Sequence, residues 1–304
     1  MQSMEPPGLI AGANMYAFLV PGDHAKMQAF VDKHLNVAPK ATLEYKVIGS
    51  TNIAVFVEAD RLTSTSQSVG WVPDNEFAFF MLLVAFEDGV ATRIVTYNPY
   101  IVVDTGIALV SGRESWGFPK EAGLVTSPDL ADHDRRWIAQ ATLFSVLDAD
   151  TEGVLQAWFQ IRSAGPWDAS QGLEKIWKTI EDARAGIEKL IGAFEDESHA
   201  ESRDLIEALI ANVKAASIPQ ANLKQFRDAE EPTKACYQAI IESASTIRKI
   251  YGGGLLLGKH TSRVTPAESH PLGADLGLKA SDEIGIGFWL RVDFIAEDGK
   301  TVWP

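Results

Sequence analysis

Residues Ser111–Gly123 read SGRESWGFPKEAG, and this stretch decides how the chain is interpreted. Its three glycines and one proline are interleaved with charged and aromatic residues, which is typical of a tight turn that holds one side chain in a fixed direction. That side chain is Lys120, which directly follows Phe118 and Pro119. Beside Trp116 and Phe118 a lysine can lose hydration, which favours the neutral, nucleophilic amine. The alternative is a solvated lysine in a surface loop.

The same residues resemble the signature of the acetoacetate decarboxylase superfamily. Its members carry a Gly-Arg-Glu, then an aromatic-Pro-Lys and a following glycine, which here are residues 112–114, 118–120 and 123. The resemblance extends upstream to Gly70–Glu76 (GWVPDNE), where the family places an active-site acidic residue, and returns weakly at Ile218–Ala239. It covers most of the chain except the first dozen residues and residues 164–217. The chain is therefore identified as a divergent member with an insert.

Length and composition are those of a soluble globular protein that buries a sizeable core, with 304 residues, 46% hydrophobic and 22% charged. We expect a single domain over residues 1–304. No apolar run reaches the roughly 18 residues of a membrane span, and the N-terminus lacks signal-peptide features. The single cysteine, Cys236, fits a reducing compartment. These features predict a cytoplasmic protein. The net charge of -14 argues against a nucleic-acid partner, which requires clustered Lys and Arg.

Apolar, β-branched and aromatic runs predict strands at residues 51–58, 76–86, 137–147, 154–162 and 284–295. In the last of these, alternation places Phe288, Leu290, Val292 and Phe294 on one face. Residues 23–35 are predicted to form a helix capped by Asp23. Residues 164–217 space apolar side chains at helical intervals, which predicts an inserted helical hairpin. Its apolar stripe is expected to pack in the core or in a homo-oligomer interface.

The fold class that the resemblance implies is α+β, with antiparallel strands curled into a β-barrel or cone and helices packed outside. Lys120 is expected inside this barrel, where a low dielectric lowers the pKa of its amine. Trp71, Trp116 and Phe118 are expected to keep water away from it.

Family resemblance assigns Lys120 the role of a Schiff-base nucleophile. In acetoacetate decarboxylase such a lysine is activated by desolvation or a neighbouring cation. Glu76 matches the family's acidic residue and is expected to position substrate or shuttle protons. Arg113, Glu114 and Glu58 are the further candidate substrate-binding residues. For Arg113 and Glu114 the alternative is an internal salt bridge that fixes the turn.

Two departures from the family pattern bear on the reaction. The family follows its lysine with a second lysine, whereas this chain has Glu121. A carboxylate there would raise the pKa of Lys120, unless its side chain points away along the extended segment. The family also carries an arginine just before its first helix, and residues 13–18 (ANMYAF) contain none.

By default the resemblance implies decarboxylation of a small β-keto acid with no cofactor and no metal. Imine-based aldol condensation, dehydration or hydration is the alternative within the superfamily. A non-catalytic barrel that binds a small ligand is the alternative of another class. The six histidines show no metal-ligand spacing. Gly253–Lys259 (GGLLLGK) fits the start of a phosphate-binding loop, but His260 follows where Ser or Thr is required.

Overall fold

The computed structural model describes residues 3–129, 132, 134–164, 216–256, 259–285 and 287–304. Within these residues β-strands dominate. The strands are β1 (Gly8–Pro21), β2 (Leu43–Val47), β3 (Thr51–Ser64), β4 (Val72–Glu87), β5 (Val90–Tyr97), β6 (Ile101–Val103), β7 (Lys120–Thr126), β8 (Arg135–Leu143), β9 (Val154–Ala164), β10 (Ser217–Arg227), β11 (Ala235–Leu256), β12 (Lys259–Val264), β13 (Ser281–Ile284), β14 (Gly287–Ala296) and β15 (Lys300–Trp303). The helices are α1 (His24–His34), α2 (Gly106–Ser111) and α3 (Leu272–Asp275), and a π-helical turn, Gly112–Trp116, follows α2 directly.

Hydrogen-bonded neighbours close part of the sheet into a ring. The order around it is β4, β3, β1, β14, β11, β10 and β5, and β5 pairs with β4 again. A branch leaves the ring at β4 and runs through β6, β7, β8, β9, β12 and β13. The pairs β5–β10 and β6–β7 are parallel. The sheet is therefore mixed, whereas a wholly antiparallel one was expected. The parallel β6–β7 pair arises because α2 and the π-helical turn carry the chain back before β7 begins.

The elements that the sequence predicted are present among the described residues. Helix α1 begins after Asp23, whose side chain accepts a hydrogen bond from the Lys26 amide at 3.0 Å, and it buries Met27, Phe30 and Val31. The last predicted strand is divided into β13 and β14, but its side-chain alternation is confirmed. Leu290 and Val292 are buried in one cluster, and Phe288 and Phe294 pack against it.

The strands β4 and β7 each have two different faces because successive side chains alternate. The odd-numbered residues Phe77, Phe79 and Val125 belong to the main core, which is dominated by aromatic side chains. The opposite face of β4 carries Ala78, which is buried in a smaller cluster with Ile101, Val103 and Ala108. Leu62, Phe80, Leu109 and Phe118 pack against that cluster. We call this second side the α2 face.

The predicted helical hairpin at 164–217 lies outside the described residues, apart from its ends, and stays a prediction. Strand β9 ends at Ala164 and β10 begins at Ser217.

No helix in the described part of the chain is both long enough and apolar enough to cross a membrane.

Candidate active site

Lys120 is the first residue of β7, and the turn before it fixes where its side chain goes. Gly117 ends the π-helical turn with a φ of 74°, a left-handed conformation that favours glycine. The amide of Phe118 donates to the Gly112 carbonyl at 3.2 Å, and the amide of Lys120 donates to the Phe118 carbonyl at 2.7 Å. The Arg113 Nη1 atom donates to the Lys120 carbonyl at 3.0 Å. The sequence GRESWGFPK therefore forms a cradle around the base of the lysine side chain.

Gly112 leaves room for the aliphatic part of Lys120. A Cβ atom at position 112 would lie 2.6 Å from Cδ and 2.8 Å from Cε of Lys120, distances that real Cβ contacts do not reach. The lysine stem therefore lies directly on the backbone of the turn. This close approach gives a physical reason for the glycine that begins the Gly-Arg-Glu motif.

The amine of Lys120 meets two carboxyl groups on the α2 face. Its Nζ atom lies 2.5 Å from Oε2 of Glu76, and only 10% of the Lys120 side chain is exposed. Asp74 lies two residues before Glu76 on β4, so both side chains point to the same face. Asp74 is buried, and its charge acts on Lys120. The site thus contains one amine and two carboxyl groups, with Phe118 at its edge (5.7 Å from Nζ to the ring centre).

Burial and charge act on Lys120 in opposite directions. Burial lowers the pKa of the amine, but the charges of Glu76 and Asp74 and the hydrogen bond to Glu76 outweigh burial and raise the pKa above its ordinary value. Burial acts in the expected direction, but the expected net lowering of the Lys120 pKa is wrong because the two carboxyl groups outweigh it. With both carboxyl groups ionised, Lys120 is an ammonium.

Asp74 is the second perturbed group of the site. Burial raises its pKa to about 7, and the nearby charge of Glu76 acts in the same direction. The charge of Lys120 and a hydrogen bond from Thr105, whose Oγ1 lies 3.1 Å from Oδ1, act against this shift. Thr105 also caps α2 by accepting a hydrogen bond from the Ala108 amide at 3.3 Å. A carboxyl group with this pKa can both donate and accept a proton near neutral pH.

Glu121 points away from Lys120, as alternation along β7 requires. Both of its carboxylate oxygens lie 2.9 Å from Nε2 of His270, a buried side chain on the core side of the sheet. The Nδ1 atom of His270 lies 2.8 Å from Oγ of Ser269. The rings of Trp158 and Tyr100 are 5.2 Å and 6.1 Å from the imidazole. Glu121 is not among the charges that shift the pKa of Lys120. Its contact with His270 instead holds β7 on the core side of the sheet.

Glu58 does not meet Lys120 in this structure. Val57 is the direct cross-strand partner of Glu76, so the neighbouring Glu58 side chain lies on the other face of the sheet. There its Oε1 accepts a hydrogen bond from the Ser127 amide at 3.2 Å, and burial raises its pKa. The structure therefore separates the two glutamates that the resemblance placed in one site.

Arg113 and Glu114 are both exposed. Arg113 holds the Lys120 carbonyl, as described above, and no ion pair joins it to Glu114 within the described residues. The structure places Arg113 behind the lysine backbone, not beside the amine. A role in substrate binding stays a prediction for both residues.

The three aromatic candidates occupy different environments. Trp116 is buried, and its Nε1 atom donates to the Glu297 carbonyl at 2.8 Å. Phe118 packs 5.8 Å from the Trp116 ring, and the Phe118 ring also lies next to the lysine amine. Trp71 is 54% exposed, and the guanidinium of Arg61 lies 4.9 Å from its ring centre. Trp71 therefore does not shield Lys120 from water in this structure, whereas Phe118 borders its amine.

Two functional candidates were not predicted. Asp74 was available from the sequence, because it lies within GWVPDNE and shares the face of Glu76 at a spacing of two. His270 had no local signal, since it lies 149 residues from Glu121 in sequence.

Among the described residues no group of three or more His, Cys, Asp or Glu side chains could hold a metal ion. Of the described residues of the GGLLLGK run, residues 253–256 end β11 and Lys259 begins β12, a strand and not a helix.

Neither a protein-family model nor a curated protein matches the sequence, but solved structures match the fold over nearly the whole chain. Acetoacetate decarboxylase from Legionella pneumophila is 11% identical, with a TM-score of 0.61, and the match covers 97% of this chain and 87% of that one. The enduracididine biosynthesis enzyme MppR, complexed with pyruvate, is 13% identical, with a TM-score of 0.58 and coverage of 98% and 91%. An acetoacetate decarboxylase-like enzyme from Sphingomonas wittichii RW1 is 14% identical, with a TM-score of 0.57 and coverage of 99% and 94%. At these identities the likeness concerns the fold, and it confirms the family resemblance at that level. The chain has the acetoacetate decarboxylase-like fold.

Proposed function

We propose that this protein is a Schiff-base-forming lyase that acts on a small keto acid through Lys120, with decarboxylation of a β-keto acid as its reaction. One observation carries the proposal: a buried lysine amine lies 2.5 Å from Glu76 and within the field of Asp74. A buried lysine that served only the fold would need one counter-ion, and here a second carboxyl group with a pKa of about 7 lies next to the pair.

The first step is loss of the Lys120 proton. The ammonium cannot attack a carbonyl group, so its proton must pass to Glu76, which is its hydrogen-bond partner, or onward to Asp74. Near neutral pH Asp74 is present in both protonation states, so a proton can be held at the site without leaving it. The free amine is thus produced by proton transfer to these carboxyl groups and not by burial alone.

The covalent steps then balance without a cofactor. The Nζ atom bonds to the ketone carbon, one proton from Nζ and one from the carboxyl pair join the carbonyl oxygen, and water leaves to give a protonated imine. The bond between the α-carbon and the carboxylate breaks, and its electron pair moves into the imine as carbon dioxide departs. The enamine takes a proton at carbon from the carboxyl pair Asp74 and Glu76, and water releases the ketone and the free amine.

Fold neighbours support a keto acid as the ligand class. One of the structures of similar fold is MppR complexed with pyruvate. The support is at the level of the fold, because the identities are 11–14%.

Condensation through the same imine is the second candidate, and the charges of the site favour it. Besides burial, the charges that act on the pKa values of Lys120 and Asp74 are those of carboxyl groups and of each other, and no further Lys or Arg contributes among the described residues. A substrate carboxylate would therefore face other carboxylates. The aldehyde partner of a condensation carries no charge, so it would not be repelled by these carboxylates. MppR has also been solved with the condensation product of pyruvate and imidazole 4-carboxaldehyde.

A non-catalytic small-ligand-binding protein is the candidate of another class. The raised pKa of Lys120 favours it, since a permanently protonated lysine forms no imine. Homo-oligomer formation and a cytoplasmic location remain predictions for each of the three candidates.

Carbon dioxide release from a panel of β-keto acids separates the candidates. The lyase predicts release by the wild type and a loss of several orders of magnitude in Lys120→Arg, which keeps the charge beside Glu76 but cannot form an imine. Lys46→Arg, at an exposed lysine of β2, is the matched control. Condensation predicts no carbon dioxide but an imine adduct on Lys120. A binding protein predicts neither.

A further inference from the structure

The N-terminal end of helix α2 is hydrogen-bonded to the part of β4 that carries the two carboxyl groups of the site. The Asp104 carboxylate accepts two hydrogen bonds from Asn75, one from its amide at 3.0 Å and one from its Nδ2 atom at 2.6 Å. The Asp104 amide in turn donates to the Asn75 carbonyl at 3.2 Å. Asn75 lies between Asp74 and Glu76 on β4. These bonds hold the start of α2 beside both carboxyl groups.

Thr105 is the residue of this segment that bonds to one of those carboxyl groups. Its hydroxyl oxygen accepts a hydrogen bond from the Ala108 amide at 3.3 Å. The same hydroxyl group donates to Oδ1 of Asp74 at 3.1 Å. A hydroxyl group has one proton to donate, and a backbone amide can only donate. The single hydroxyl proton of Thr105 is therefore directed to Asp74.

The bond from Thr105 opposes the other influences on Asp74. Burial and the charges of Glu76 and Asp104 raise the pKa of the Asp74 carboxyl group, whereas the Thr105 hydroxyl and the charge of Lys120 lower it. A hydrogen bond donated to a carboxylate stabilises its ionised form. Thr105 therefore helps to keep Asp74 able to ionise although it is buried.

We propose that Thr105 is a positioning residue of the lysine site: its hydroxyl group holds Oδ1 of Asp74, so that Asp74 exchanges protons with Lys120 and Glu76 through Oδ2. The inference rests on the proposed function, in which Lys120 must lose its proton before it attacks a carbonyl group. Thr105 acts on this step through Asp74.

The first test follows the ionisation of Asp74 by carbon NMR, in protein labelled at the carboxyl carbon of aspartate, with Asp74→Asn used to assign the signal. Thr105→Val removes the donor. The midpoint of the Asp74 titration should then rise by about one to two pH units, because a hydrogen bond to an ionised group is lost. Thr105→Ser keeps the hydroxyl group and should keep the wild-type midpoint.

Thr105 also caps α2, so loss of the cap must be separated from loss of the donor. Asp23→Ala is the matched control, because Asp23 caps a different helix, α1, by accepting from the Lys26 amide at 3.0 Å. It should leave the Asp74 midpoint unchanged. Thr105→Gly is a second variant without the hydroxyl group, since glycine is tolerated at the first position of a helix cap. It should raise the midpoint as Thr105→Val does.

The second test measures adduct formation on Lys120, with a small keto acid and cyanoborohydride, as a function of pH. Because Asp74 holds the proton that Lys120 releases, one limb of the rate profile should lie near neutral pH. This limb should move up together with the Asp74 midpoint in Thr105→Val and Thr105→Gly. It should stay in place in Thr105→Ser and in Asp23→Ala.

The outcomes separate the two claims. A wild-type midpoint in both variants without the hydroxyl group, or an equal shift in Thr105→Ser or Asp23→Ala, would overturn the positioning role and leave the Schiff-base function standing. A shifted midpoint with an unchanged rate profile would also overturn that role. Absence of any adduct on Lys120 in the wild type would overturn the proposed function, and with it the part of Thr105 in proton exchange.

Discussion

Lys120 and Glu76 form a short ion pair, with 2.5 Å between Nζ and Oε2, on the side of the sheet that faces away from the main aromatic core. Strand alternation brings Asp74 to the same side. The pair is therefore part of a three-group system in which the charge of each of the two carboxyl groups acts on the pKa of the Lys120 amine.

Replacing Glu76 should lower the pKa of Lys120. Glu76→Gln removes a charge and an acceptor that both raise this pKa, and burial, which lowers it, remains. The rate of Lys120 modification by an amine reagent should therefore reach half its maximum at a lower pH than in wild type. Turnover should fall about 10²–10⁴-fold, because a proton acceptor is lost. An unchanged pH profile would show that Glu76 does not set the charge state of Lys120.

Glu121→Gln should leave that pH profile unchanged. Its side chain lies on the other face of β7 and bonds to His270, so it is a matched carboxyl control for Glu76. The expected effect is a loss of stability of about 1 kcal/mol in chemical denaturation, since the Glu121 side chain is partly exposed and the pair is screened by solvent. A shift of the Lys120 profile as large as that of Glu76→Gln would contradict the separation of the two faces.

Gly112→Ala should displace the Lys120 amine with little effect on folding. The added methyl group would lie 2.6 Å from Lys120 Cδ, and a flexible side chain moves more easily than the backbone. Displacement of a reacting group by about 1 Å costs on the order of 10²-fold in rate. Gly106→Ala is the control, because a Cβ there meets no atom within 4 Å. Equal rates of adduct formation in the two variants would argue against the packing role of Gly112.

Asp74→Asn should change how stability depends on pH. The carboxyl group of Asp74 has a folded-state pKa of about 7, against an ordinary value of 3.8, so the folded protein holds an extra proton between these values. Stability from the protonated form is complete below about pH 4 and is lost as the pH rises to 7. The variant cannot ionise, so its Tm relative to wild type should rise over this interval, by the equivalent of a few kcal/mol. Parallel curves of Tm against pH would rule out the raised pKa.

The strands, helix α1 and the alternation of β14 could be predicted because each depends on local patterns of apolar residues. The placement of Asp74 beside Glu76 and of Glu121 away from Lys120 follows from the same period of two. The sign of the Lys120 pKa shift could not be predicted, because it is the difference between burial and two carboxyl charges whose distances depend on the folded chain. The contact between Glu121 and His270 could not be predicted either, because the two residues lie 149 positions apart in the sequence. The face of Glu58 could not be predicted either, because it depends on the β3–β4 register that pairs Glu76 with Val57.

Reductive trapping at Lys120 tests the central claim most directly. The protein is incubated with a small β-keto acid and borohydride, and its intact mass and peptide masses are measured. Imine chemistry predicts one stable adduct on Lys120, present in Lys46→Arg and absent from Lys120→Arg. A protein that retains its fold but gives no adduct on Lys120 with keto acids or simple ketones would contradict the account.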